Sequence, residues 1–312
     1  MVRACSGRSD TGRRPRVGTL ARHTVMANLD AVWDELVASA TGPCAAERIH
    51  RLRVSTRRGL ASLSLFRDLM PPKPRRWFRR RLRLILRAAA GVRDLDLVLH
   101  HLAGEGLAAV AEGAPAYAGR ARLLDLVASR RVAATVPVRR LHTLIGQRRW
   151  SAHRAHLVAG IQAAEASPAE QGEQVRRRLR QRVKAFIRCT HGTSTAPRAI
   201  HRLRLAGKKL RYTVEALSGA SPHPTARRCL AALRRLQGVL GKSTDHATAV
   251  ETIRGLARTP ELRTARRNWD CLRRAEQDEA RQALRAFTDW WDRDQRHDLR
   301  RRCRLALRKA FA

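Results

Sequence analysis

The chain has 312 residues, of which 65 are Lys or Arg and 26 Asp or Glu, giving a net charge of +39 and a pI near 11.8. That excess is far beyond what solubility needs and points to nucleic acid, an anionic membrane surface or another polyanion. No stretch reaches the eighteen apolar residues of a membrane span, and the six cysteines are scattered without Cys-x-x-Cys or paired-His spacing, which argues against a zinc module.

Residues 1–20 carry Arg, Gly, Ser and Thr with few large apolar side chains, so a disordered basic arm is expected there. The same residues hold no apolar run suited to a secretory signal, and a reducing cytoplasm fits the unpaired cysteines. Residues 21–40 read as a first helix, with Val25, Leu29, Val32, Trp33 and Leu36 near helical period. Residues 45–69 read as a second helix that stops at Pro71-Pro72-Lys73-Pro74, where amide donors are missing.

On that second helix His50, Arg53 and Arg57 fall in one narrow sector at 100° per residue, with Arg58 beside it, while Ile49, Leu52, Leu60, Leu63 and Phe66 fall opposite. No acid occurs between residues 50 and 67. An ordinary solvated helix face mixes both signs at spacings of three and four, because like charges there repel, so a one-sign stripe suits an anionic ligand.

The following helix is expected over about 75–90, with Arg76, Arg80, Arg83 and Arg87 along one side; a ligand-binding and a solvated face are both compatible with that pattern. Arg93-Asp94-Leu95-Asp96 comes next. Its acids lack a third carboxylate or a His at useful spacing, so ion pairing or capping is the simpler reading than metal or acid–base chemistry. Residues 104–119 are Gly/Ala/Pro-rich and suggest a loop or a poorly formed helix; 123–136, 138–150 and 151–166 look helical. His142, His153 and His156 have no Cys or carboxylate cluster among them and read as surface histidines.

Residues 167–172 are read as the separator between two halves, followed by helices over about 173–189 and 198–218. The second of these repeats the earlier motif: Ile200-His201-Arg202-Leu203-Arg204 matches Ile49-His50-Arg51-Leu52-Arg53 at an offset of 151, and Lys208-Lys209 replaces Arg57-Arg58. The offset continues without a gap, pairing Pro71 with Pro222, Arg76 with Arg227, Leu82 with Leu233, Arg83 with Arg234 and Asp94 with Asp245. This pattern is that of an internal duplication. His201, Arg204 and Lys208 form the second stripe, with Arg211 beside them. Only six of the basic residues are Lys, so the Lys208-Lys209 pair stands out against 59 arginines.

A helix over about 225–240 is expected to end at Gly241. Gly241-Lys242-Ser243 is not a P-loop, since Leu236 occupies the place of the first glycine and no strand precedes it. Residues 245–256 and 261–291 are again helical, with Trp269, Leu272, Leu284, Phe287 and Trp290 available for a core, and 296–308 is a short, very basic helix.

Two segments together resemble the CHAD (conserved histidine α-helical domain) family. They are His50 to Arg58 with Arg93-Asp94-Leu95-Asp96, and His201 to Tyr212 with Leu236-Gln237-Gly238-Val239-Leu240-Gly241. The resemblance covers roughly residues 22–292. Gly59-Leu60, Ala90 and Thr244 depart from the family pattern. The resemblance implies an all-α fold, a duplicated helical-bundle domain with internal pseudo-two-fold symmetry, which binds inorganic polyphosphate along a basic surface and has no catalysis of its own.

The expected organisation is an arm (1–20), a CHAD-like domain (21–292, with halves of about 21–166 and 173–292) and a basic C-terminal helix (293–312). The candidate polyphosphate contacts are His50, Arg53, Arg57, Arg58, Arg76, Arg83 and Arg93 in the first half, and His201, Arg204, Lys208, Lys209, Arg211, Arg227 and Arg234 in the second. No catalytic residue, metal or cofactor is expected. Sequence-nonspecific nucleic-acid binding is the rival reading, since phosphate contacts serve both ligands; both motif stripes lack stacking aromatics apart from Tyr212, which weighs against single strands. The alternating-Glu segment of triphosphate tunnel enzymes is absent, and association with polyphosphate granules in the cytoplasm is the expected setting.

Overall fold

Apolar residues recur every three or four positions through almost the whole chain, and the structure, a computed structural model, answers with helices. It describes residues 17–104, 116–163, 167–191, 196–218, 223–259 and 266–309, and among them there is no strand. In order the helices are α1 (Val17–Thr41), α2 (Ala46–Leu65), a 3₁₀ turn (Arg67–Leu69), α3 (Pro72–Ala103), α4 (Ala116–Ile145), α5 (Gln147–Gln162), α6 (Pro168–Cys189), α7 (Pro197–Ser218), α8 (Pro224–Leu256), α9 (Arg266–Trp290) and α10 (Arg293–Lys309).

The apolar stripes close three cores. The first gathers Leu29, Leu36, Ile49, Leu52, Phe78, Leu82, Ile85 and Trp150 from α1, α2, α3 and α5. A second gathers Phe186, Leu203, Leu210, Leu233, Leu236, Phe287 and Cys303 from α6 to α10. The third joins the C-terminal parts of α3 and α8 through Val98, Leu102, Val127, Ile253, Trp269 and Leu272. Each fully buried Leu, Ile or Phe adds roughly 1.5–3 kcal/mol, and the third core ties α3 and α4 to α8 and α9.

Several boundaries differ from the sequence reading. Residues 17–20 belong to α1 and not to an arm, because Val17 and Leu20 pack on the first core; residues 1–16 lie outside the described residues. α3 does not stop near 90, and α8 does not stop at Gly241. A glycine inside a helix costs about 1 kcal/mol relative to Ala, and the burial of Val92, Leu95 and Val98 beyond Gly91, and of Ala249 and Ile253 beyond Gly241, outweighs it. The expected break at Pro137 falls instead at Gly146, whose φ of 70° only glycine adopts easily, so Trp150 lies in the first turn of α5.

Residues 168–172 are already helical, five residues ahead of the expected start at 173. Ser167 Oγ accepts from Glu170 N at 3.3 Å, the Glu170 carboxylate accepts from Ser167 N at 2.7 Å, and this capping box starts α6. Part of the expected loop at 104–119 is helix α4 from residue 116, while 105–115 lie outside the described residues, as do 164–166 and 192–195 of the expected helix end and turn. Gly160 lets α5 close on the turn before α3: a Cβ there would sit 2.4 Å from Pro71 Cδ.

The C-terminal helix α10 is docked. Leu299, Cys303 and Ala306 enter the second core, and Arg300 Nε donates to Thr190 Oγ1 at 2.8 Å while its Nη2 donates to the Thr190 carbonyl. His142 and His153 are half-buried beside Trp33 and Trp77, and only His156 of that trio is exposed. No helix among the described residues is long and apolar enough to cross a membrane.

Candidate functional site

Each motif helix buries one side and offers the other. On α2, Ile49 and Leu52 enter the first core; on α7, Ile200, Leu203 and Leu210 enter the second. Because α2 and α7 pack against each other, the sides left over meet. Arg53, Arg57, Arg204 and Lys208 converge on one half-buried cluster that neither helix could build alone.

The electrostatics of the cluster follow from that crowding. Burial and the neighbouring Arg204 and Arg57 bring the Lys208 ammonium down to about 7, with Asp245 acting the other way. Burial and Arg57 bring Arg53 to about 10. Burial also lowers Arg204, against the pull of Asp245, whose Oδ1 accepts from Arg204 Nη2 at 3.2 Å. Arg204 Nε is buried without a hydrogen-bond partner.

Two carboxylates and a phenol frame the cations. Asp94 lies beside Arg53 and Arg93, yet burial outweighs both and raises its carboxyl. Asp245 holds Arg204, and the buried Tyr212 sits close to both Arg53 and Arg204. Asp96 faces away from the site and forms a buried pair with Arg131, whose Nη2 also donates to the Cys44 carbonyl at 2.6 Å. Of the Arg-Asp-Leu-Asp segment, then, one acid serves the cluster and the other the core.

The remaining candidates fall into three places. His50 is exposed at the rim, and burial together with Arg93, Arg57 and Arg53 lowers its pKa; Arg93 is half-buried beside it. His201 and Lys209 are exposed on α7. Arg58, Arg211 and Arg234 are drawn together by Glu215, which accepts from them at 3.3, 3.4 and 3.5 Å. The Glu215 side chain is only 13% exposed, so this is a junction of α2, α7 and α8 as well as a cationic edge. Its acid lies outside the 50–67 window of the first stripe, and the Arg211 to Glu215 spacing of four was the available sign of it.

Arg76 and Arg83 lie farther off, in a groove lined also by Lys73, Trp77, Arg80, Arg87 and His153 between α3 and α5. Arg76 precedes Asp94 by eighteen residues, five full turns, so the two share one side of α3 about 27 Å apart along the axis. Arg227 bears the same relation to Asp245 on α8 and is exposed. A basic row thus leads from the cluster along α3, and a sparser one along α8, where Ala231 and Gly238 replace Arg80 and Arg87.

This arrangement suits a long anion with repeating charges: rigid Arg forks bind oxygen pairs, and Lys208 supplies a point charge. Residues 26–254 match the family model for the CHAD domain. Among solved structures, the CHAD domain from the plant Ricinus communis is similar over 86% of this chain and 92% of its own, with a TM-score of 0.63 and 21% identity. PptA from Streptomyces chartreusis is similar over 89% of this chain and 99% of its own, with a TM-score of 0.58 and 21% identity. No curated protein matches.

Proposed function

The chain belongs to the CHAD domain family, and from that premise we propose that it binds inorganic polyphosphate, without catalysis, where its two His-x-x-Arg helices meet. The observation that carries this reading is the convergence of Arg53, Arg57, Arg204 and Lys208 into one half-buried cluster with an unused donor on Arg204. Burying like charges together destabilises the free protein, and a polyanion removes that cost. His50, Arg93, His201 and Lys209 flank the cluster, Arg58, Arg211 and Arg234 keep donors to spare beyond Glu215, and Arg76, Arg83 and Arg227 extend the track.

The reading includes an internal duplication with pseudo-two-fold symmetry. Support comes from the helix starts: α7 and α8 begin within one residue of a 151-residue offset from α2 and α3, and α10 begins five residues ahead of its counterpart to α5. One copy of the motif from each half then composes one site.

The test is a comparison of affinities at equal phosphate concentration and physiological salt. Long-chain polyphosphate is expected to bind more tightly than duplex or single-stranded DNA, and more salt should weaken binding steeply as counterions are released. Equal affinity for DNA across the salt range would favour a nonspecific nucleic-acid binder. In cells the same preference collects the chain on polyphosphate granules; an unchanged distribution in cells unable to make polyphosphate would contradict granule targeting.

A further inference from the structure

Away from the basic cluster, at the edge of the third core, three ligand-type side chains from three helices converge. His101 Nδ1 of α3 lies 2.9 Å from both carboxylate oxygens of Glu276 on α9, and His246 Nδ1 of α8 lies 2.7 Å from Glu276 Oε2. The donor atoms all lie within 4.8 Å of one another, and the imidazole centroids are 4.6 Å apart. We propose that His101, His246 and Glu276 form a binding site for a divalent transition metal of the zinc class.

The donor set and its setting carry the proposal. A four-coordinate zinc ion with bonds of about 2.0–2.2 Å to nitrogen and carboxylate oxygen places its ligand atoms roughly 3.3 Å apart. The nitrogen–oxygen separations of 2.7 to 2.9 Å here need to widen by only about half an ångström to admit the ion. Glu276 is 1% exposed, and the His101 and His246 side chains are 14% and 21% exposed, so two ligands open toward solvent and leave room for a fourth, water or ion.

The contrast with Asp96 is informative. That buried acid takes an Arg131 guanidinium as counter-ion, the obvious choice in a chain with 59 arginines. Glu276 instead takes two imidazoles, which unlike guanidinium can give a lone pair to a metal. Ion binding needs no redox change: each imidazole moves its proton from Nδ1 to Nε2, and the carboxylate exchanges two hydrogen bonds for one metal bond. His101, His246 and Glu276 each stand within four residues of Val98, Ala249 or Leu272 of the third core, so apolar packing fixes their helices on three sides. The bound ion would staple α3 to the α8–α9 pair.

The experiment uses the full chain, free of polyphosphate, with zinc followed by calorimetry and cobalt by its visible spectrum. The expected result is one tight equivalent of zinc and a cobalt spectrum of nitrogen and oxygen ligation without thiolate charge transfer. Glu276→Gln and His246→Gln should each lower zinc affinity by at least roughly 100-fold, the upper end of what losing a mere outer partner costs, while Cys271→Ser at the exposed thiol should leave it unchanged. Absence of a tight equivalent, a thiolate spectrum, or variants that fold and bind as well as the parent would overturn the proposal. The parent spectrum decides the matter even if a variant fails to fold.

Discussion

Lys208 concentrates the conflict between stability and binding in one side chain. In the unfolded chain an ammonium titrates near 10.4; in the cluster, burial and the arginines bring it to about 7. The folded state therefore binds this proton more weakly. The resulting destabilisation is absent above about pH 10.4, grows as pH falls, and is complete below about pH 7. Lys208→Met should then raise the melting temperature most near about pH 6, and the gain should shrink toward pH 10, read by thermal unfolding across pH. The same variant should bind polyphosphate more weakly. A melting temperature lowered at every pH would mean that the ammonium stabilises the free fold. Burial lowers Arg204 in the same way, against the pull of Asp245.

At the scale of elements, the periodicity of apolar residues located every helix core but not every helix end. α2 and α7 were legible to within a few residues because prolines bound them and their two faces differ so strongly in character. α3 and α8 were not, since Gly91 and Gly241 weaken local propensity and only the third core, built from residues far apart in sequence, holds those helices straight through. Tertiary packing also decided the fate of α10, which local composition presents as a free basic helix and Thr190 and the second core anchor. The convergence of Arg53, Arg57, Arg204 and Lys208 followed from the repeat. Glu215 and Glu276 did not: each works through partners on other helices, and no single-segment pattern reveals such contacts.

For the molecule as a whole, a net charge of +39 favours association with any polyanion, so affinity alone does not identify a site. A diffuse field and a built cluster respond differently when equal charge is removed from different places. The exposed Arg301, Arg304, Arg308 and Lys309 of α10 provide the matched control, leaving Arg300 to hold Thr190. A charge-assisted hydrogen bond of good geometry is worth roughly 1.5–3 kcal/mol, and an exposed ion pair about 0–1.

The decisive measurement is titration of two quadruple alanine variants against long-chain polyphosphate at one salt concentration, with folding checked by circular dichroism. One variant lacks Arg53, Arg57, Arg204 and Lys208, and the other the four α10 cations. The cluster variant is expected to lose at least about tenfold more affinity than the α10 variant, since even one well-placed bond exceeds an exposed contact by roughly 1.4 kcal/mol. Equal losses in two folded variants would contradict the account and reduce the meeting of α2 and α7 to one part of a general positive surface.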